Sequence, residues 1–251
     1  MQLSSLFNRG VISYRDGVYT FDLPPVDIAF SQEFSPNQKN PAKWTTWRKT
    51  NYEFFKKELN KIPRQALILD FGVGPAQFEE ILQKGFTVIG ADFFPYEYAQ
   101  IICDLTKPLP LKDETFDVVF ASNVLEHLPN PQAVIKEWHR VLRPGGKVIG
   151  TVPFLLGVHQ APYDFLRYTY LMLNRMFKEA GFKKTEISSL GTGTDVFAAI
   201  QRHIYMRVPQ NFWSKLAWRL QKTLFKLTRP VLDGYPNSVN FTLGYGFYAG
   251  K

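Results

Sequence analysis

The chain has 251 residues, of which 45% are hydrophobic and 21% charged, and this suits one large globular domain. Its single cysteine, Cys103, excludes an internal disulfide and a cysteine-based zinc site. Seven of the eight net positive charges lie after residue 200, so nucleic-acid binding is not expected, because it would favour basic residues spread around a cleft.

The first 43 residues are predicted to be an irregular extension, because Pro24, Pro25 and Pro36 interrupt any long element. Only 17–21 suits a short strand there. Residues 44–251 are predicted to form the domain itself, which begins with a helix over 44–59. No segment reaches the ~18 to 20 consecutive apolar residues of a membrane span, and residues 1–6 lack the features of a signal peptide, so a cytoplasmic protein is expected.

From residue 66 onward, short apolar segments alternate with helical patterns, which predicts a parallel sheet covered on both faces. The predicted strands are 66–71, 86–92, 116–122 and 147–153. Helices are expected to begin near Pro75 and Pro131, and the second is expected to end at 143–146, where glycines follow basic residues.

The remaining third of the chain continues the pattern. The predicted elements are a helix at 170–180, a strand at 182–189, basic helices between 196 and 229, and a last strand at 239–248. We expect that last strand to be antiparallel and to lie at the edge of the sheet.

A glycine turn follows the strand at 66–71, where ligands bind on such sheets. Gly72 and Gly74 lack the Cβ atoms that would keep a ligand away from the backbone, and Asp70 is placed to receive an ammonium group. Gln77 occupies the third glycine position of the dinucleotide motif, and residues 76–78 supply no phosphate-loop Gly-Lys-Ser/Thr. A ligand without phosphate therefore fits better, although a turn that only joins strand to helix remains an alternative.

Two further acidic residues, Asp92 and Asp104, lie at expected strand ends. Asp92 ends the second strand, 18 residues after Gly74, where a carboxylate accepts ribose hydroxyls. A charge at the end of a buried strand is costly unless it is paired or binds a ligand. Asp104 is placed to accept from an adenine amino group, with a loop-capping aspartate as the alternative.

Three further segments carry a family resemblance: Leu-Pro-Leu at 109–111, Thr-Phe-Asp-Val-Val-Phe-Ala-Ser-Asn-Val-Leu-Glu-His-Leu at 115–128, and Leu-Arg-Pro-Gly-Gly-Lys at 142–147. Together with the glycine turn they resemble the class I S-adenosylmethionine-dependent methyltransferases, in particular the methyltransferase type 11 subgroup. The resemblance is close over 67–154 and weaker to 182. It implies a Rossmann-like, doubly wound α/β fold with a mostly parallel seven-stranded sheet, helices on both faces and an antiparallel last strand.

The resemblance also implies S-adenosylmethionine as cofactor and assigns roles to residues. Asp70, Gly72 and Gly74 would hold the methionine end, and Asp92 would hold the ribose. The other expected contacts to the cofactor are Phe93, then Asp104 and Leu105 at the adenine, and Ser122, Asn123 and His127 near the fourth strand. No metal is expected. Two departures stand out: Ala76 replaces a frequent glycine, and only 12 residues separate Asp92 from Asp104, which leaves room for about one helical turn.

An acceptor-side insert is predicted at 155–170. His159 is the candidate base and Asp164 a second catalytic candidate, while Tyr163, Arg167 and Tyr168 are candidate contacts to the acceptor. Methyltransferases of polysaccharide and lipid-linked sugar biosynthesis look similar here. The alternative is structural: an i,i+3 pair of Asp164 with Arg167, and a helix cap at Thr169.

We therefore expect methyl transfer to a small molecule, with an oxygen of a sugar or lipid-linked glycan precursor as the first candidate. The alternatives are a quinone or lipid acceptor, or a cofactor-binding protein without turnover. Apolar and basic stripes in 211–229 predict an amphipathic helix that either lies on an anionic membrane surface or covers the core. The sequence does not indicate an oligomeric state.

Overall fold

The computed structural model describes residues 3–22, 41–75, 77–233 and 240–251. Within them the chain forms one nine-stranded sheet of order β1-β2-β5-β4-β3-β6-β7-β9-β8. The strands are β1 Ser13–Arg15, β2 Val18–Thr20, β3 Leu67–Phe71, β4 Thr87–Asp92, β5 Ala99–Ile102, β6 Phe116–Ser122, β7 Leu142–Pro153, β8 Lys184–Leu190 and β9 Gly244–Gly250. The pairs from β2 to β7 along this order are parallel, and the others are antiparallel. The predicted α/β class is confirmed.

Helices cover both faces of the sheet, as predicted. They are α1 Thr46–Leu59, α2 Glu79–Leu82, α3 Pro131–Val141, α4 Tyr170–Glu179, α5 Gly193–Tyr205 and α6 Phe212–Asp233. Successive side chains of β3 point to opposite faces: Leu67 and Leu69 join the core under α3 and α4, whereas Ile68 joins the core under α1 and α2. The whole of β3 is therefore buried, which explains why all of its residues except Asp70 are apolar.

The N-terminal segment differs from its prediction as an irregular extension. It contributes the hairpin β1–β2, and β2 pairs with β5, so the sheet has nine strands and not seven. Leu6, Phe7 and Phe21 are buried in the main core, and this burial ties the segment to the domain. Pro24, Pro25 and Pro36 lie outside the described residues, as does Ala76.

The predicted edge position of the last strand was wrong, because β9 lies between β7 and β8. Two of its glycines explain how it fits there. A Cβ on Gly244 would lie 2.4 Å from the Trp47 ring, and one on Gly246 would lie 2.7 Å from Phe54. Only glycine lets this strand pass beneath α1, while the alternate side chains Tyr245 and Phe247 fill the core on the other face.

Smaller differences concern helix ends. The helix expected from Pro75 begins only at Glu79 and has four residues. α3 ends at Val141, before the predicted stop, because β7 already begins at Leu142. Residues 93–98 form no helix; a turn closed by the Ala99 N–H and the Tyr96 carbonyl leads into β5, whose bounds were not predicted although Asp104 was expected at a strand end. Among the described residues, no helix is both long and apolar enough to cross a membrane.

Candidate active site

A cavity of about 560 Å³ opens at the carboxyl ends of β3, β4 and β6, and its volume falls in the range of small-molecule sites. The structure brings all ten predicted cofactor-binding residues to its wall. They are Asp70, Gly72, Gly74, Asp92, Phe93, Asp104, Leu105, Ser122, Asn123 and His127. His159 and Tyr163 line the same cavity.

The glycine turn has a backbone that requires glycine. Gly72 has a φ of +78° and Gly74 a φ of +50°, in the left-handed region that residues with a Cβ rarely adopt. The Gly72 N–H donates to the carbonyl of Ala91 on β4 over 2.8 Å, and a Cβ on Gly72 would lie 2.6 Å from Val124 Cγ2. The turn is thereby held between β4 and the segment after β6.

Asp92 joins the end of β4 to this turn. Its Oδ2 accepts the Gly74 N–H over 2.8 Å and its Oδ1 accepts the Phe94 N–H over 2.9 Å. Burial raises the pKa of the carboxyl, and these backbone hydrogen bonds partly offset that effect. Each oxygen keeps a further lone pair, so Asp92 is held in place and is still able to accept from a ligand.

Asp70 is buried at the end of β3. Burial, followed by the nearby negative charges of Glu79 and Asp92, raises the pKa of its carboxyl to about 8. Within the described residues, no cationic side chain forms an ion pair with it. The cavity therefore offers a carboxyl group whose ionised form a bound cation would stabilise.

Asp104, predicted to lie at the adenine, caps its own loop in the structure, as the alternative interpretation predicted. Its Oδ1 accepts from the backbone N–H of Thr106 over 2.9 Å and from the Thr106 hydroxyl over 2.6 Å, and Lys107 forms an ion pair with it. Although partial burial opposes ionisation, these contacts lower the pKa of Asp104. The carboxylate nevertheless lines the cavity, so capping and ligand contact are compatible.

Asn123 stands out at the end of β6. It has a φ of +54°, which is uncommon for a residue other than glycine. Its Nδ2 donates to Ser122 Oγ over 3.2 Å, while its buried Oδ1 has no hydrogen-bond partner. A strained residue with an unsatisfied buried acceptor is typical of a ligand site.

In the acceptor-side insert, Asp164 and Arg167 form the i,i+3 ion pair that was the structural alternative to a catalytic role. Arg167 binds Asp164 through two nitrogens, over 2.5 and 2.7 Å, and the Asp164 carboxylate also accepts the backbone N–H of His159 over 2.8 Å. The hydrogen bonds from Arg167 lower the pKa of Asp164 to about 2. Neither Asp164 nor Arg167 lines the cavity, so both shape the loop that presents His159.

Tyr168 also differs from its predicted contact with the acceptor. Its side chain is buried in the main core, and its hydroxyl donates to the carbonyl of Leu125 over 2.7 Å. Thr169 caps α4 by accepting from the Met172 N–H, as the structural alternative predicted. Burial raises the pKa of the Tyr168 hydroxyl, which holds the phenol neutral.

Sequence reasoning missed two parts of the site. The first is a set of aromatic side chains that come from elements far apart in the chain and line the cavity, among them Trp47, Phe78, Phe120 and Phe165. Glu126 was noted only as part of a family segment, yet it is fully buried beside the two histidines of the cavity. Its position next to His127 was the one sequence signal that pointed to it.

Comparisons with known proteins agree with this architecture. Residues 69–150 match the family described as "Methyltransferase domain", which confirms the resemblance found in the sequence. A demethylmenaquinone methyltransferase of Anoxybacillus flavithermus is 31% identical over 41% of this chain and 40% of its own length. A ubiquinone biosynthesis O-methyltransferase of Pseudomonas syringae is 35% identical over 32% of this chain and 41% of its own. The chain thus matches about two fifths of the length of these relatives.

The fold is shared with solved methyltransferase structures. One is the 1,6-didemethyltoxoflavin-N1-methyltransferase of Burkholderia thailandensis with bound 1,6-didemethyltoxoflavin and S-adenosylhomocysteine. It superposes with a TM-score of 0.52 at 15% identity, covering 82% of this chain and 78% of its own. At this identity the likeness establishes the fold, and it is consistent with the position of the cavity at the strand ends.

Proposed function

We propose that the chain transfers the methyl group of S-adenosylmethionine to a small-molecule acceptor. One observation carries the proposal: two buried carboxylates and two glycines of positive φ meet at the adjacent ends of β3 and β4, on the wall of one cavity. The family match over residues 69–150 supports it. So does the methyltransferase activity named for the relatives.

The residues of the cavity suit the parts of this cofactor. The ammonium group of its methionine end would pair with Asp70, which lacks a cationic partner within the described chain. Asp92 would accept from the ribose hydroxyls with its remaining lone pairs. Gly72 and Gly74 would let the ligand approach the backbone.

The cofactor supplies a methyl carbon that its positive sulfur has already activated. The protein must hold an acceptor lone pair in line with that carbon and exclude water, and positioning of this kind contributes about 7–11 kcal/mol to lowering a barrier. On the acceptor side, His159 and His127 face the cavity. Their imidazoles are placed to take up or polarise the proton of an acceptor hydroxyl.

A hydroxylated aromatic acceptor of the quinone class suits the cavity better than a glycan precursor. The wall contains the rings of Trp47, Phe78, Phe120 and Phe165, which favour a flat apolar molecule over a sugar that needs many hydrogen bonds. The relatives named for demethylmenaquinone and ubiquinone biosynthesis support the same class.

A test is to incubate the purified chain with S-adenosylmethionine and either demethylated quinols or lipid-linked glycan precursors, with mass spectrometry of the products. We expect one methyl group to be added to a quinol. A methylated glycan would refute the quinone class and identify glycan precursors as the acceptors. Absence of cofactor binding in calorimetry would refute methyl transfer altogether.

We further propose that α5 and α6 attach the chain to an anionic membrane surface, where an apolar acceptor would be found. No residue of the 22-residue α6 is buried, so this helix does not cover the core. Its apolar side chains are exposed instead, including Trp213, Leu216, Leu220, Leu224 and Leu227. Phe197, Ile200 and Ile204 on α5 are exposed as well, and exposed apolar side chains in such number mark an interaction site.

Basic residues accompany the apolar surface: Lys215, Arg219, Lys222 and Lys226 lie on α6. Apolar and basic side chains on one helix suit the headgroup region of an anionic bilayer. The test is flotation with vesicles of phosphatidylglycerol and phosphatidylcholine, comparing the wild type with a variant that carries glutamate at positions 215, 222 and 226. A control variant places glutamate at the exposed lysines 136, 178 and 183, which changes the charge equally.

We expect the α6 variant to stay with the unbound protein while the control floats like the wild type. Equal flotation of all three proteins would rule out electrostatic attachment through α6. Equal loss in both variants would show that net charge alone governs binding.

A further inference from the structure

Three side chains meet on the acceptor side of the cavity: Glu126, His127 and His159, here called the Glu-His-His cluster. Glu126 Oε1 lies 3.7 Å from His127 Nε2 and 3.8 Å from His159 Nε2. The two imidazole rings are 5.1 Å apart, nearly perpendicular, and one ligand atom from each residue falls within 4.8 Å of the others. No hydrogen bond of ordinary length joins the three groups.

Glu126 is unusual because it is fully buried and unsatisfied. Its exposed fraction is 0%, and neither carboxylate oxygen has a hydrogen-bond partner. A buried carboxylate in this state is costly unless a cation or donors compensate it. The Nε2 atoms of the two histidines lie beside Oε1 at these distances, so those rings, or a group bound between them, are placed to compensate the carboxylate.

Both histidines are oriented so that Nε2 faces this carboxylate. His127 Nδ1 lies 2.7 Å from the carbonyl of Tyr163; since a carbonyl only accepts, Nδ1 carries the proton and Nε2 presents a lone pair. His159 Nδ1 lies 3.3 Å from Asp164 Oδ2, and Arg167 holds that carboxylate with two hydrogen bonds. Carbonyl and carboxylate partners of this kind fix metal-binding histidines in the correct tautomer.

We propose that the Glu-His-His cluster binds a divalent first-row transition cation of the Zn²⁺ type. Bonds of about 2.1 Å at tetrahedral angles separate ligand atoms by about 3.4 Å, close to the two distances observed to Glu126. Two imidazoles and one carboxylate suit such a cation, whereas Mg²⁺ and Ca²⁺ prefer oxygen ligands. With three protein ligands, a fourth position remains open toward the cavity that His127 and His159 line.

This site gives the proposed methyl transfer its acceptor-activating group, and this role rests on the proposed function. An acceptor hydroxyl bound at the open position loses its proton to solvent more readily, because the cation stabilises the oxygen anion. That oxygen then forms the new carbon–oxygen bond as the carbon–sulfur bond breaks, and the bonding pair remains on sulfur. His127 and His159 act here as ligands, and this replaces the proton-accepting role proposed for them above.

Cobalt binding tests the site without any need for turnover. The purified chain is treated with a chelator, dialysed and titrated with Co²⁺, whose visible absorption reports the coordination geometry; Zn²⁺ is then added as a competitor. The test variants are Glu126→Gln and His159→Gln. His139→Gln is the matched control, since His139 lies on α3 against Phe182 and outside the cavity.

We expect one Co²⁺ per chain with a tetrahedral spectrum that Zn²⁺ displaces. Each test variant should bind Co²⁺ at least about tenfold more weakly, because loss of even a residue that hydrogen-bonds to a metal ligand lowers metal affinity by about 10–100-fold. His139→Gln should bind Co²⁺ like the wild type. Absence of binding by the wild type would overturn the proposal. Unchanged binding in His159→Gln, or an equal loss in the control, would overturn it too.

Affinity for S-adenosylmethionine is measured on the same samples. It distinguishes failure of the metal site from failure of the proposed methyl transfer, on which the role of the metal rests. Intact cofactor binding without Co²⁺ binding refutes the metal site alone. Co²⁺ binding without cofactor binding refutes methyl transfer and leaves the metal site standing. Because replacement of the buried Glu126 can impair folding, His159→Gln is decisive, as this side chain is 40% exposed.

Discussion

Replacement of Asp92 by alanine tests the cofactor site most directly. The carboxylate holds the Gly74 and Phe94 N–H groups over 2.8 and 2.9 Å and would accept from two ribose hydroxyls. A hydrogen bond to a charged group contributes about 1.5–3 kcal/mol, so loss of the two ribose contacts costs about 3–6 kcal/mol. Affinity for S-adenosylmethionine should then fall by about 10² to 10⁴-fold.

The assay is isothermal titration calorimetry, with circular dichroism to establish that the variant is folded. Asp113→Ala is the matched control, because this carboxylate is 72% exposed and pairs with Arg140 away from the cavity. Wild-type affinity in folded Asp92→Ala would refute the ribose assignment. Equal weakening by Asp113→Ala would show that the effect is not specific to the cavity.

Three further expectations follow from the same site. Because the pKa of the Asp70 carboxyl is about 8 and a bound ammonium favours its ionised form, cofactor affinity should rise as the pH increases from about 6 toward about 8. It should fall again at higher pH, where the amino group of the free cofactor loses its proton. Calorimetry should show proton release near pH 7, and affinity independent of pH would contradict the pairing. Gly72→Ala should lower the free energy of unfolding by about 1–3 kcal/mol, because of the φ of +78° and the close contact of the added Cβ with Val124. Denaturant titration measures this change. Gly10→Ala is the control, since a Cβ added there has no atom within 4 Å. His159→Ala should reduce turnover on a quinol while cofactor affinity is retained, and full activity would remove this residue from the mechanism.

Local patterns in the sequence determined the centre of the fold. β6 was predicted to the residue, β3 and β4 to within one, and α4 ends one residue early, because buried strands and capped helices have apolar runs and end signals of their own. The cofactor side of the cavity was predicted for a similar reason. Most of its residues lie at the ends of strands or shortly after them, and parallel strands bring their carboxyl ends to one edge of the sheet.

Contacts between distant segments decided the rest. β9 lies between β7 and β8, where its glycines let it pass beneath α1. The sequence of the strand does not indicate which strands or which helix it will contact. Asp164 and Arg167 bind each other instead of a ligand, and Glu126 becomes a buried, unpartnered carboxylate beside a histidine 33 residues away. The chemical character of a charged group depends on burial and partners, and these exist only once the chain has folded.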